Sequence, residues 1–426
     1  MREMKDSGVK WIGEIPVTWN VYRNKNAFVC SKDLVGGKSS ETQLLSLTTK
    51  GIKLKDINNA EGKLPESFDT YQYVKKDEMV MCLFDLDCSA VFSGLSPYDG
   101  MISPAYKVLT CTDRMEPKYA DYWFQYISHG RKFNHYAKNI RYTLSYEEFS
   151  ALPMLFPDRE EQIRISNYLD AKCSKIDEII EKQQAIIEKL KEYKLSIITE
   201  GVTKGLKHNV KMKDSGVRFV DTIPYDWENR KMITILSTRV VDGPHESPEL
   251  YDTGIPYISA TAIVNGKIDF SLMRGYISKE YCEICDKRYS PQRGDLLVVK
   301  LGASTGQVAI VDTDERFNIW VPLAAVRCND EALPKFVYYV FQSDYFVRQM
   351  ELSWTFGTQQ TLGVQTIEKL RILLPPIAEQ REIVKFLDTI YDNVGSKIEN
   401  VEKMIEKLEE YKKSLIYEVV TGKKEV

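Results

Sequence analysis

The chain has 426 residues, more than one domain usually holds, so two or three units are expected, each large enough for its own core. Its 43% hydrophobic and 28% charged residues exclude a disordered chain, and no run of about 18 apolar residues, nor an apolar stretch behind the charged start MREMKDSG, points to a membrane span or a signal peptide; a cytoplasmic protein is expected. The net charge of −3 argues against bulk electrostatic capture of nucleic acid.

The first element is the line MKDSGV at 4–9, followed by Ile15-Pro16 and Trp19. The same residues return as MKDSGV at 212–217, Ile223-Pro224 and Trp227, an offset of 208. Short β-branched and aromatic runs follow, DEMVMCLF and PAYKVLTC, punctuated as strands are by Gly, Pro and Asp, and PKYADYWFQYIS reads as a helix opened by proline. Further on the offset becomes 218. KKDEMVM (75–81) lies on RGDLLVV (293–299), TLSYEEFSALPMLFP (143–157) on TLGVQTIEKLRILLP (361–375), and Glu161-Gln162 on Glu379-Gln380. The second copy therefore carries about ten extra residues before Asp295, and its strand runs are GDLLVVKLG, GQVAIVD and VPLAAVRC, with PKFVYYVFQSDYFVRQM as its helix.

Each copy closes on a long helical pattern of about 45 residues. In the first, Leu169, Ile176, Gln183, Leu190 and Ile197 recur every seven residues, with Cys173, Ile180 and Ile187 four after the first three. In the second, the series is Leu387, Val394, Val401, Leu408 and Leu415 with Tyr391, Ile398 and Ile405. A sustained a/d seam in both predicts that the two helices pair as a coiled coil; two amphipathic helices packed each on its own domain are the alternative. The expected domains are 1–157, a helix over 158–206, 207–375, and a helix over 376–426. The fold class is α/β, mixed α+β, in two globular copies arranged about a pseudo-twofold axis and separated by two long antiparallel coiled-coil helices. A 45-residue helix spans roughly 68 Å, which would set two heads one to two turns of duplex apart at about 34–36 Å per turn.

Charge is distributed to match. The two helical segments carry 9 basic against 10 acidic and 9 against 11 residues, and the rest balances at 40 against 40. Such neutral globular regions would bind DNA weakly by themselves.

Catalytic patterns do not assemble. No Asn/Asp-Pro-Pro-aromatic run for adenine methylation is present; Gly37-Lys38-Ser39 resembles the end of a phosphate loop, but Lys32 stands where its first glycine belongs; Gly302-Ala303-Ser304-Thr305-Gly306 has no lysine after it. Asp85 and Asp87 read as a strand-to-turn junction. Cys282-x-x-Cys285 lacks a second cysteine pair and is read as chance rather than metal, so no metal and no cofactor are expected in this chain. The eight cysteines belong to a reduced cytosolic chain.

Reading of bases needs forked side chains on exposed loops. HGRKFNHYAKNIRYTLS (129–145) offers Arg131, Lys132, Asn134, Lys138, Asn139, Arg141 and Tyr142. Its counterpart SWTFGTQQTLG (353–363) is nearly uncharged and offers Trp354, Thr358, Gln359 and Gln360. A second set, Lys300, Ser304, Thr305 and Gln307, lies on the glycine-rich turn, and His245 in DGPHESPE is a third. Solvated connecting loops are the alternative for all three.

The order MKDSGV-W-G-IP-W, a mixed domain, P--EQ-I---LD, a helix ending IEKL-EYK-S-I-E-VT-G, and then the whole pattern again, resembles the specificity subunit of type I restriction-modification systems over nearly the entire chain. One departure is that FPDREEQIRI lacks the second proline of LPPIAEQREI. The resemblance implies two target recognition domains, each reading half of a bipartite double-stranded DNA sequence, and helices that set the spacing and dock partners. It also implies two modification subunits that methylate adenine with S-adenosylmethionine, and restriction subunits that use ATP with Mg; catalysis and cofactors would belong to those partners. A coiled-coil scaffold with protein-binding heads is the competing reading.

Overall fold

In a computed structural model the chain is described over residues 2–56, 65, 67–86, 92–136, 142–356 and 359–426; the side chains of His135 and Phe356 are not. It divides into two compact units, residues 1–183 with 402–426, and residues 184–401. Each globular region thus takes segments of both long helices with it.

The helices in chain order are α1 (Pro117–His129), α2 (Tyr146–Ala151), α3 (Arg159–Lys204), α4 (Lys279–Asp286), α5 (Pro334–Gln342), α6 (Asp344–Leu352), α7 (Val364–Lys369) and α8 (Ile377–Val420). The run 334–352, expected as one helix, is two. Ser343 lies in extended geometry between them, fully buried, with its hydroxyl turned back to Val340 O at 2.6 Å. Thr199 Oγ1 on α3 accepts from Asp344 N at 2.9 Å, so α6 is capped by another helix rather than by its own N-cap side chain.

The core of the first unit is a four-stranded antiparallel sheet in the order Phe28–Ser31, Lys107–Cys111, Met79–Met81, Ser93–Leu95. The second unit repeats it as Val241–Asp242, Leu323–Val326, Leu296–Val299, Val308–Ile310. The register repeats as well: Val80 stands opposite Val108 and Gly94, and Leu297 opposite Ala325 and Ala309. The strands expected from the β-branched runs are these strands. A second ladder joins the start of each copy to its end, Asn20–Arg23 against Pro153–Phe156 and Glu228–Lys231 against Arg371–Leu374.

The seam residues named from the heptads are all buried or half-buried. Along α3 from 177 to 196 only 180, 183, 187, 190 and 194 are covered, and every other residue is exposed. A helix covered along so narrow a stripe is one member of a coiled coil, not a helix lying on a domain. In the first unit α3 and α8 run antiparallel, since Asp177 receives Lys412 Nζ at 2.7 Å while Lys424 lies 5.8 Å over the Tyr168 ring. The second unit shows the same sense: Lys194 sits 3.2 Å over the ring of Tyr391, and Gly201 abuts Leu387.

The doubled line forms a hairpin in each unit, Met4–Asp6 with Glu14–Pro16 and Met212–Val217 with Val220–Pro224. Behind it the tryptophan closes on a helix end. Both long helices stop at a left-handed glycine, Gly205 at φ 71° and Gly422 at φ 72°. A Cβ on Gly422 would stand 3.1 Å from Trp19, and one on Gly205 3.2 Å from Trp227. In the first unit Trp19 Nε1 also donates to the buried Glu161 carboxylate at 2.8 Å, which pairs with Arg2; Arg2 in turn reaches Glu425 at 3.3 Å, so the two ends of the chain meet. In the second unit Val210 stands where Arg2 does, and the buried Trp227 N–H has no partner among the described residues.

Candidate nucleic-acid interface

The same two segments meet in both units: the turn leaving the central strand and the loop preceding the short helix α2 or α7. In the first unit Leu144 N donates to Leu83 O at 2.8 Å and Leu86 N to Tyr142 O at 3.3 Å. In the second, Leu362 N donates to Lys300 O at 2.8 Å and Gly302 N to Gln360 O at 3.2 Å. Short parallel-running backbone bonds therefore fix each candidate loop to a rigid strand end, which is how a scaffold holds a reading surface still.

On the first unit, α1 ends at Gly130, and Arg131 turns the chain with φ 47° into a 3₁₀ turn over Lys132–Tyr136. Phe133 pins that turn, 2% exposed and within 5.5 Å of Phe92 and 6.1 Å of Phe149 between ring centres. Arg131 is left exposed, Lys132 and Asn134 half-buried, and the Lys132 ammonium lies 6.0 Å over the Tyr126 ring. Tyr142, at φ 43°, is exposed. Lys138, Asn139 and Arg141 lie outside the described residues, as does Thr358 in the second unit.

On the second unit the three sets named from sequence converge. Thr355–Phe356 and Gln360–Thr361 form a small hairpin beside the glycine turn, with Leu301 bridged to Thr361. Gln359 and Gln307 are exposed, Ser304 and Gln360 half-buried, and Trp354 lies 4.0 Å from where a Gly306 Cβ would be. Thr305 is turned inward, its hydroxyl donating to Gly302 O at 2.7 Å. Lys300 differs from the expectation of an open turn: it is 7% exposed and donates to Asp242 Oδ2 at 2.8 Å. The same carboxylate takes His245 Nε2 at 3.3 Å and the guanidinium of Arg288. Burial alone would push the Asp242 carboxyl up; Lys300, then Arg288 and His245, outweigh it and hold it below the ordinary carboxylate range.

Sequence reading did not single out Asp242, Arg288, Arg274 or Trp320. Arg274 lies 3.3 Å over the Trp320 ring, and Trp320 Nε1 donates to Glu246 O at 3.2 Å beside His245. Asp242 lies within the quoted DGPHESPE neighbourhood, but its link to Arg288, 46 residues on, has no sequence signal.

The cysteine pair behaves as core. Cys282 and Cys285 on α4 are buried and free, and burial first, with the neighbouring thiol second, pushes Cys285 up to about 11. Among the described residues no group of three or more His, Cys, Asp or Glu is placed to hold a metal ion, and no helix is long and apolar enough to cross a membrane.

Two like α/β units, each built on the same four-stranded sheet and joined to segments of both antiparallel helices, define the class of fold, a duplicated mixed α/β protein with two long helices. Residues 224–410 match the family described as the type I restriction modification DNA specificity domain. The putative specificity subunit of the type I restriction enzyme MjaX from Methanocaldococcus jannaschii is 22% identical, over 97% of this chain and 95% of its own length. The EcoBI specificity subunit of Escherichia coli is 25% identical over 57% of this chain, a match that spans 53% of that protein. A chain from a structure on complex assembly and conformational transition of the type I R-M system shares the fold, with TM-score 0.67 at 14% identity over 96% of this chain and 99% of that one. The family match thus lies over residues 224–410, and the likeness to a specificity subunit of a type I restriction enzyme extends over nearly the whole chain.

Proposed function

We propose that this chain is the DNA sequence-recognition subunit of a type I restriction-modification complex, each unit reading one half of a bipartite target. The observation that carries it is the pair of loop-and-turn surfaces, fixed in the same place on the same sheet and chemically unlike. One presents Arg131, Lys132 and Asn134, the other Gln359, Gln307 and a carboxylate-bound cation cluster. Identical scaffolds with different side chains are what two unlike half-sites require.

The finer parts of the proposal rest on the resemblance to specificity subunits, and the charge balance and helix length are in keeping with them. The paired helices set the gap between half-sites and dock two modification subunits; restriction subunits join that assembly in the cytoplasm. With globular regions balanced at 40 basic against 40 acidic residues, most phosphate neutralisation falls to the partners. Methyl transfer from S-adenosylmethionine and ATP-Mg-driven restriction are theirs too, and this chain does no chemistry of its own.

The test is methylation-aware sequencing of DNA from cells expressing the chain with its modification subunit. Modified adenines in one split motif with a fixed unspecified gap are expected. A continuous motif, or none with partners expressed, overturns the reading.

A further inference from the structure

The Asp242 cluster is the place in the second unit where a charged fork is held ready at the surface. Asp242 is 7% exposed and closes the edge strand of the sheet. Lys300, with an 8% exposed side chain, is enclosed with it, so that ion pair is internal. One carboxylate then faces two permanent cations, and the cluster keeps a net positive charge. The excess is carried outward by Arg288, whose side chain is 51% exposed.

Only Nη2 of Arg288 is bound to Asp242; Nε and Nη1 make no hydrogen bond among the described residues. A guanidinium is planar with five donors, so anchoring one nitrogen to a buried carboxylate fixes the plane and leaves the remaining edge pointing away. Guanine O6 and N7 are the acceptor pair such a fork fits in the major groove. His245, 69% exposed on the same carboxylate, has one ring nitrogen engaged and no fork to offer. In the first unit Leu83 stands where Lys300 does, its carbonyl accepting from Leu144 N as that of Lys300 does from Leu362 N, so the cluster belongs to the second unit alone.

We propose that Arg288 reads a guanine in the half-site of the second unit, with Asp242 as its positioning residue. The proposal rests on the DNA-recognition reading above. The experiment is the methylation motif of the full chain with its partner subunits, compared with Arg288→Lys, Arg288→Gln and, as control, Arg293→Gln, an exposed arginine whose fork is already taken by Asp314.

The wild-type half-site of the second unit should contain a G·C pair whose preference falls roughly 5- to 150-fold in Arg288→Lys, which keeps the charge but not the fork. In Arg288→Gln the preference at that position should move toward adenine, the base that a Gln amide pairs with. Arg293→Gln should leave the position intact, and the gap and the other half-site should not change in any variant. Either Arg288 variant that melts with the wild-type chain decides the matter. A guanine retained in both, a half-site without one, or its loss in Arg293→Gln instead overturns the proposal while the recognition reading stands. Absence of any split motif in the wild type would sink that reading, and this proposal with it.

Discussion

Gln162 and Gln380 are both fully buried, and each ties a helix base to its globular unit by three bonds to backbone. Gln162 Oε1 accepts from Glu116 N at 2.8 Å, and its Nε2 donates to Arg114 O and Pro157 O at 3.0 Å each. Gln380 repeats this with Leu333 N at 2.8 Å and with Glu331 O and Pro375 O at 2.9 Å. One turn or two along, Asp170 takes Tyr122 Oη at 2.9 Å and Lys118 Nζ at 2.6 Å, and Asp388 takes the matching Tyr339 and Lys335. Replacing Gln162 by Leu strands three backbone groups, one buried and two partly buried, and a buried group left unpaired costs about 1–3 kcal/mol. Gln162→Leu should therefore lower the melting temperature of the full chain by several degrees, whereas Gln43→Leu, with its side chain exposed, should not. Equal melting of both variants would mean that the lock carries no weight. The Glu-Gln pair is legible in the sequence as a repeat, but its job is not, because its partners lie up to 49 residues away.

Among the elements, those with a strong period are the ones the sequence shows: both helices over 40 residues long and the central strands lie where the heptads and β-branched runs put them. What it hides depends on partners distant in sequence. Ser343 breaks one apparent helix because α3 supplies a cap at Thr199, and Lys300 leaves the surface because Asp242 is beneath it. Since the seam alone is covered along the middle of α3, the helix tolerates changes that keep its period of seven and no others. Removing one heptad from each helix, 183–189 and 401–407, preserves the seam and every contact of both globular units outside it. Under the proposed function the half-sites should then be read unchanged while the gap between them shortens, or methylation should cease. An unchanged gap at full activity would show that the helices do not set the spacing. Removing five residues, 182–186, from α3 instead should lower stability, since it moves Ile187 and Leu190 to the exposed positions of 182 and 185.

At the scale of the whole chain the repeated line acquires a mechanical meaning. Each MKDSGV hairpin precedes a tryptophan that closes on a glycine ending a long helix, Trp227 on Gly205 after a short covalent link and Trp19 on Gly422 with none. The second joint is therefore held by packing and by Arg2 with Glu161 and Glu425, where the first has the peptide chain itself. A covalent link at one joint and a noncovalent one at the other should be interchangeable. The segment 206–211 is mostly exposed, and at the offset of 208 Asn209 is the counterpart of Met1. A permuted chain that starts at Asn209 behind an initiator methionine, runs to Val426, crosses a short Gly/Ser linker to residue 2 and ends at His208 keeps every helix and both sheets continuous. It should melt within a few degrees of the parent and, with partner subunits, direct methylation to the same split motif with the same gap. A permutant that folds but reads a different gap would place the spacing in the 206–211 link rather than in the clasp of tryptophan on helix end, and one that fails to fold would make that link part of the core of the fold.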